Sequence, residues 1–116
     1  MMKVIVNGAG GRMGREVLSL IRKDTARSGA IVVAAVDLTC DEQCRYPSLA
    51  GYTGPADVII DFTFHTTAAE LTEYAAARAL PVVIATTGHT QEELALIRKA
   101  ALKIPIFHAS NMSVGI

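Results

Sequence analysis

Val4-Ile5-Val6-Asn7-Gly8-Ala9-Gly10-Gly11-Arg12-Met13-Gly14 joins a short apolar run to a cluster of glycines and then opens into a helical pattern. A buried strand that breaks into glycines ahead of a helix is the phosphate-gripping turn of dinucleotide-binding folds. Glycines allow the tight turn, let backbone approach a pyrophosphate, and let the helix pack close to the sheet. The N–H groups and positive dipole end of the new helix then face the anion. A glycine turn alone can merely reverse a chain, so its surroundings decide how to read it.

Working outward, strand and helix patterns alternate. Lys3–Asn7 reads as a buried strand and Arg12–Lys23 as a helix with Met13, Val17, Leu18 and Ile21 on one face. Ile31–Val36 is a second apolar strand that ends at Asp37. Residues 38–56 are polar and carry Pro47, Gly51, Gly54 and Pro55, so they read as a loop with one short edge strand near Tyr46. Val58–Phe62 is the third strand, and Thr67 with Glu70 offers a capping box for a helix reaching about Ala79. Pro81 ends that helix and Val82–Ala85 is the fourth strand. Thr90 with Glu93 is a second capping box, opening a helix to about Lys103 with Leu94, Ile97 and Ala101 inward; Pro105–His108 starts a fifth strand. Short apolar strands joined by helices imply a parallel sheet covered on both faces. The expected architecture is one α/β domain, a Rossmann-like doubly wound parallel sheet over residues 1–116.

Composition narrows the function. The chain has 116 residues and is 51% apolar, enough for a packed core in one domain. Eleven basic and eleven acidic residues cancel, leaving no electrostatic footprint for nucleic acid or an anionic membrane. No apolar run reaches a membrane span and the N-terminus enters a strand without a signal-peptide pattern, so a cytoplasmic protein is expected. Cys40 and Cys44 are separated by three residues in a polar loop, and His65, His89 and His108 are scattered in sequence. That spacing reads as two reduced thiols rather than a metal or redox site, and no metal is expected.

In open parallel sheets ligands bind beyond the carboxyl ends of the strands. Asp37, at the end of the second strand, can accept hydrogen bonds from both ribose hydroxyls of the adenosine half of NAD and would repel a 2′-phosphate. The same acid could cap a helix or sit solvated, but its strand context favours the ribose. After the fourth strand, Thr86 and Thr87 are small and hydroxyl-bearing, suited to the close approach of a flat ring and its ribose. Phe62 fits either a cofactor face or the core. Asn111 can meet a nicotinamide carboxamide or simply end the fifth strand. His65 and His89 read as solvated loop residues without an orienting partner, and Asp61 as a structural acid bonded to backbone. No catalytic set for a substrate is found, so no catalytic residue is assigned.

Taken together, these loops resemble a family. Gly8-Ala9-Gly10-Gly11-Arg12-Met13-Gly14, Ile60-Asp61-Phe62-Thr63, Ala85-Thr86-Thr87-Gly88 and Ser110-Asn111-Met112-Ser113-Val114-Gly115 are similar to the nucleotide-binding domain of 4-hydroxy-tetrahydrodipicolinate (dihydrodipicolinate) reductase. This is the bacterial diaminopimelate–lysine pathway enzyme that reduces a cyclic imine, or its hydroxy precursor, with NADH or NADPH to tetrahydrodipicolinate. The resemblance implies that Gly8, Ala9, Gly10, Gly11, Arg12 and Met13 wrap the pyrophosphate, with Arg12 near the adenosine phosphate region. It implies that Asp37 holds the adenine ribose, and that Phe62 and Thr63 line the cofactor groove. Ala85, Thr86 and Thr87 would contact the nicotinamide half, and Ala109, Ser110, Asn111 and Met112 the nicotinamide end near an inter-domain hinge.

Two departures from the family pattern shape the expectation. Many members carry a basic residue after the acid of the second strand; here Leu38-Thr39 follows Asp37, so NADH is favoured over NADPH unless Arg12 or Arg45 compensates. The family's second domain, with its His-His pair, lysine proton donor, Ser-Gly-Thr substrate segment and homotetramer interface, has no counterpart in these 116 residues. The chain alone is therefore expected to bind cofactor without turnover, its small-molecule substrate being held by that other domain. The alternatives are a stand-alone NAD- or CoA-binding module without catalysis, or the cofactor domain of a different dehydrogenase family.

Overall fold

The computed structural model describes residues 2–23, 27, 29–37, 46–86 and 88–108. Five strands, β1 (Met2–Asn7), β2 (Ala30–Val36), β3 (Val58–Asp61), β4 (Val82–Ile84) and β5 (Ile106–His108), form one parallel sheet in the order β2-β1-β3-β4-β5. Among the described residues three α-helices accompany them: α1 (Arg12–Lys23), α2 (Ala68–Arg78) and α3 (Gln91–Ala101). Single 3₁₀ turns at Leu49–Gly51 and His65–Thr67 complete the described elements. The doubly wound parallel sheet read from the sequence is the fold.

Side-chain alternation along β1 divides the core in two. Val4 and Val6 point to one face, where they meet Leu18 of α1, Ala9 and Ala35. Ile5 points to the other face and joins Ile59, Ile84, Leu71 of α2 and Ile97 of α3. Covering on both faces explains why the strands read as continuous apolar runs. Ile5, Ile59 and Ile84 are each 0% exposed, and truncating one such side chain to alanine costs about 2–5 kcal/mol.

Between β2 and β3 the chain crosses to the α2 and α3 face through the Leu49–Gly51 turn, with Leu49 and Tyr52 in that core. The edge strand expected near Tyr46 is a single parallel bridge from Val36 to Tyr46. Arg78 braces this crossing by donating to the Tyr74 hydroxyl and the Gly54 carbonyl, and Tyr74 in turn donates to the Tyr52 carbonyl at 2.6 Å.

Several local expectations are corrected. Thr90 and Glu93 form the expected reciprocal capping box on α3. Thr67 precedes α2 but makes no cap, because its hydroxyl turns back to the Phe64 carbonyl at 2.9 Å and the turn before α2 is 3₁₀. Met13 is 56% exposed instead of facing the sheet, and Ala100, not Ala101, is the buried alanine of α3. The third and fourth strands each end one residue early, at Asp61 and Ile84. The helix α2 stops at Arg78 because Ala79 adopts the left-handed conformation (φ 54°), before Pro81 is reached.

Candidate cofactor site

Strand order reverses between β1 and β3, so their carboxyl ends open a crevice. The glycine turn fills the bottom of it. Gly8 has a φ of +83°, and the amides of Gly8 and Ala9 both donate to the Val36 carbonyl, at 2.8 and 3.0 Å. A Cβ on Gly8 would lie 2.8 Å from the Phe62 backbone, and one on Gly14 would lie 2.1 Å from the Gly8 carbonyl. These two glycines are required by chain crossing alone. A Cβ on Gly11 would meet only the Gly8 carbonyl at 3.5 Å, an ordinary contact, so the space above Gly11 is open.

Gly10 has a different reason. Its amide donates to Oδ2 of Asp37 at 2.8 Å, and a Cβ there would sit 2.6 Å from the Asp37 carboxyl group. The Asp37 backbone is fixed as well, donating to the Tyr46 carbonyl at 2.9 Å. Asp37 thereby lines a cleft of about 340 Å³, whose floor includes Asn7, Gly8 and Gly11. One wall carries Pro47, Ser48 and Leu49; the other carries Phe62, Thr63 and the start of α2 as far as Leu71. Phe64, 82% exposed, stands at the rim, and Glu70 adds a second carboxylate. No lysine or arginine lines the cleft among the described residues. The first-turn amides of α1 have no acceptor within the helix and carry its positive dipole end.

Of the residues singled out in the turn, Ala9 is fully buried beneath α1 and offers the cleft no side chain, whereas Arg12 and Met13 are exposed at the helix start. Phe62 both lines the cleft and packs against the core below α1.

Beneath the crevice lies a buried polar knot. Asp61, 1% exposed, accepts from Asn7 Nδ2 at 2.9 Å, from Thr63 Oγ1 at 2.7 Å and from Thr86 Oγ1 at 3.5 Å. Burial pushes its carboxyl group up from the ordinary value, while the bonds from Thr63 and Asn7 pull it back. Its backbone carbonyl also accepts from the Ala85 amide at 2.9 Å. The acid read as structural is so, but its partners are mostly side chains rather than backbone. It aligns Thr63 and Thr86, from two different loops, at the mouth of the sheet.

The histidines, scattered in the sequence, come together here. His65 Nδ1 lies 2.7 Å from Oε1 of Glu93, so His65 has the orienting partner that sequence spacing did not reveal. His89 stacks edge-on with both His65 and His108, at ring-centroid distances of 6.2 and 4.9 Å. His108 Nε2 is 2.9 Å from the Thr86 carbonyl. Burial holds His89 below the ordinary imidazole range, with neighbouring His108 acting in the same direction. Among the described residues, no group of three or more His, Cys, Asp and Glu is arranged to hold a metal ion.

Thr87, Ala109, Ser110, Asn111 and Met112 lie outside the described residues, as do Cys40, Cys44 and Arg45. Sequence reading missed Ser48, Leu49, Phe64 and Glu70 as cleft residues. Leu49 belongs to a loop without periodicity, and Glu70 looks like any first-turn acid of a helix, so neither carries a local signal.

Comparison with known proteins supplies the family. The family described as "Dihydrodipicolinate reductase, N-terminus" matches residues 2–112. The chain belongs to this family. Among its relatives is the 4-hydroxy-tetrahydrodipicolinate reductase of Caldanaerobacter subterraneus subsp. tengcongensis, 40% identical over 118 residues that span 100% of this chain and 46% of that protein. The protein of the same name from Clostridium novyi is 35% identical over 119 residues, again 100% of this chain and 46% of the relative. The chain thus spans about half the length of the curated relatives it matches. These relatives are named as reductases, and the family is one of oxidoreductases. Among solved structures, an oxidoreductase from Agrobacterium radiobacter in complex with NAD+, L-tartaric acid and magnesium shares the fold, with a TM-score of 0.66 at 21% identity. That match covers 90% of this chain and 34% of the other.

Proposed function

We propose that this chain is the cofactor-holding part of a 4-hydroxy-tetrahydrodipicolinate reductase and that it binds NADH in preference to NADPH. The observation that carries the reading is the Asp37 carboxylate, fixed by the Gly10 amide at 2.8 Å within the switch-point cleft. The residues present fit a dinucleotide: the open space above Gly11 suits a pyrophosphate, and the first-turn amides of α1 supply its donors. Gly8, Gly10 and Gly11 hold the pyrophosphate close to backbone, with Arg12 and Met13 at its flank. Asp37 accepts from the adenosine ribose hydroxyls. A 2′-phosphate would enter a cleft that carries Asp37 and Glu70, and like charges there disfavour it.

Phe62 and Thr63 line the groove toward the nicotinamide, and Ala85, Thr86 and Thr87 contact that half of the cofactor. Ala109, Ser110, Asn111 and Met112 meet its carboxamide end. When bound, the nicotinamide supplies the hydride that reduces the cyclic imine to tetrahydrodipicolinate, in diaminopimelate and lysine biosynthesis. Residues 1–116 supply the cofactor side of that reaction. Substrate positioning, proton donation and the homotetramer belong to a second domain, so residues 1–116 alone bind cofactor without turnover.

Calorimetric titration with NADH, NADPH and CoA tests the reading. Tight NADH binding with weaker NADPH binding and no CoA binding is expected. CoA binding without any response to either nicotinamide dinucleotide would replace the reading with a stand-alone nucleotide module.

A further inference from the structure

Three imidazoles that the proposed function leaves unused meet at the carboxyl ends of β3, β4 and β5, and their partners assign two of their protons. His108 Nε2 faces the Thr86 carbonyl at 2.9 Å, so Nε2 carries hydrogen and donates. His65 Nδ1 faces a Glu93 carboxylate oxygen at 2.7 Å and donates likewise. His89 stands between these two rings, and its Nδ1 is buried with no hydrogen-bond partner among the described residues.

We propose that His108 is a positioning residue for the Ala85–Thr86 segment, and that neutral His89, wedged between His65 and His108, makes this positioning depend on pH. The inference rests on the reading of Ala85 and Thr86 as contacts of the nicotinamide half.

Four titratable groups face His89 from the elements around it: His65, His108, Glu93 and Asp61. Neither carboxylate is hydrogen-bonded to it. Oε1 of Glu93 already takes the Thr90 amide at 2.8 Å as well as His65. The Asp61 carboxylate is taken by Asn7, Thr63 and Thr86. A proton added to His89 would therefore place a cation beside two imidazoles, with neither carboxylate hydrogen-bonded to it and its buried Nδ1 unpaired. Charging His89 in acid therefore favours its outward movement, where water hydrates the cation. Because His89 follows Thr86 by three residues in the same connection, that movement draws the Thr86 carbonyl away from His108. The adenosine and pyrophosphate contacts, which lie across the sheet at β1 and β2, are untouched.

The test compares NAD+ with ADP-ribose, which keeps the adenosine and pyrophosphate but lacks the nicotinamide. Both are titrated calorimetrically near pH 7.5 and near pH 5.5, a span that brackets imidazole titration. Wild-type NAD+ affinity should fall about tenfold across that span, while ADP-ribose affinity changes by less than about twofold. His89→Gln should remove most of that difference. His108→Ala should weaken NAD+ about tenfold near pH 7.5 and spare ADP-ribose, and His108→Gln should recover most of the loss by donating an amide N–H to the same carbonyl. Imidazole nitrogen spectra of the wild type give a readout that needs no variant to fold: hydrogen on Nε2 of His108, and a His89 that stays neutral to lower pH than a free imidazole.

Equal pH responses for NAD+ and ADP-ribose would overturn the inference while leaving the cofactor reading intact. So would a His89 that titrates as a free imidazole, or a His108→Ala protein with unchanged NAD+ affinity. Failure of the wild type to bind either ligand would overturn the cofactor reading, and this inference with it.

Discussion

Oδ2 of Asp37 accepts the Gly10 amide at 2.8 Å, which makes the glycine turn after β1 and the acid at the end of β2 one unit. The turn holds the carboxylate, and the carboxylate occupies the space that a side chain at position 10 would need. Asp37→Asn keeps the size but loses the charge that strengthens hydrogen bonds to ribose. It should weaken NADH by about 1.5–3 kcal/mol and narrow the gap to NADPH, as read by paired titrations. Unchanged affinities for both would remove Asp37 from the cofactor site.

Gly14 and Gly11 should respond oppositely to alanine. At Gly14 the new Cβ would lie 2.1 Å from the Gly8 carbonyl, so helix and strand must separate, costing about 1–3 kcal/mol or more in thermal or denaturant unfolding. At Gly11 the nearest atom is 3.5 Å away, so Gly11→Ala should fold within about 1 kcal/mol of wild type. It should nevertheless lose NADH affinity, because the methyl group would stand where a pyrophosphate approaches. A Gly11→Ala protein with full affinity would place the pyrophosphate elsewhere.

Asp61→Ala would leave the buried Asn7 amide and Thr63 hydroxyl without their acceptor, at about 1–3 kcal/mol for each group left unpaired. Asp61→Asn retains an acceptor and should cost much less. Because burial raises its folded pKa, Asp61 binds its proton more readily in the folded than the unfolded state. Its contribution is therefore full below the ordinary value of 3.8 and is lost as pH rises through the folded value. Comparing wild type and Asp61→Asn in denaturant across acid pH should show the wild type losing ground as pH rises.

His89 should have the opposite sign. Its folded pKa lies below the ordinary 6.5, so the unfolded chain binds the proton first. Its contribution is present above 6.5 and is lost as pH falls toward the folded value. In His89→Gln that segment of the stability–pH curve should flatten. A curve identical to wild type between about pH 5 and 7 would contradict this assignment.

Thr90 and Glu93 cap α3 reciprocally, at 3.1 Å from the Glu93 amide and 2.8 Å from the Thr90 amide. Thr90→Ala should cost about 1 kcal/mol in chemical denaturation. Glu93→Ala should cost a similar amount and also release His65, visible as a shift in the His65 imidazole resonances.

The sheet, its parallel sense and the three helices were legible because they rest on periodicity and on glycine, both local properties. The turn from Gly8 to Gly14 was legible for the same reason, since the nearest constraint on Gly14 is only six residues away at the Gly8 carbonyl. Capping was less so: Thr67 with Glu70 and Thr90 with Glu93 carry the same pattern, yet only the second pair forms the box. The difference lies in Thr63 and Phe64, which draw the Thr67 hydroxyl into another bond network before α2 begins. Met13 and Ala101 were misassigned because helical spacing gives a face but not its width.

By itself, then, the sequence determined the alternation of strands and helices, the glycine turn and the acid placed one strand later, since each follows from backbone sterics or burial period. Tertiary structure decided what those residues meet. It set Asp37 against Gly10, 27 residues apart, and Asn7 against Asp61, 54 apart. It gathered His65, His89 and His108, from two connections and the end of β5, into one cluster. The parallel sheet is the physical reason: it sets the carboxyl ends of its strands along one edge, and β3, passing β2 to lie beside β1, brings Asn7 opposite Asp61.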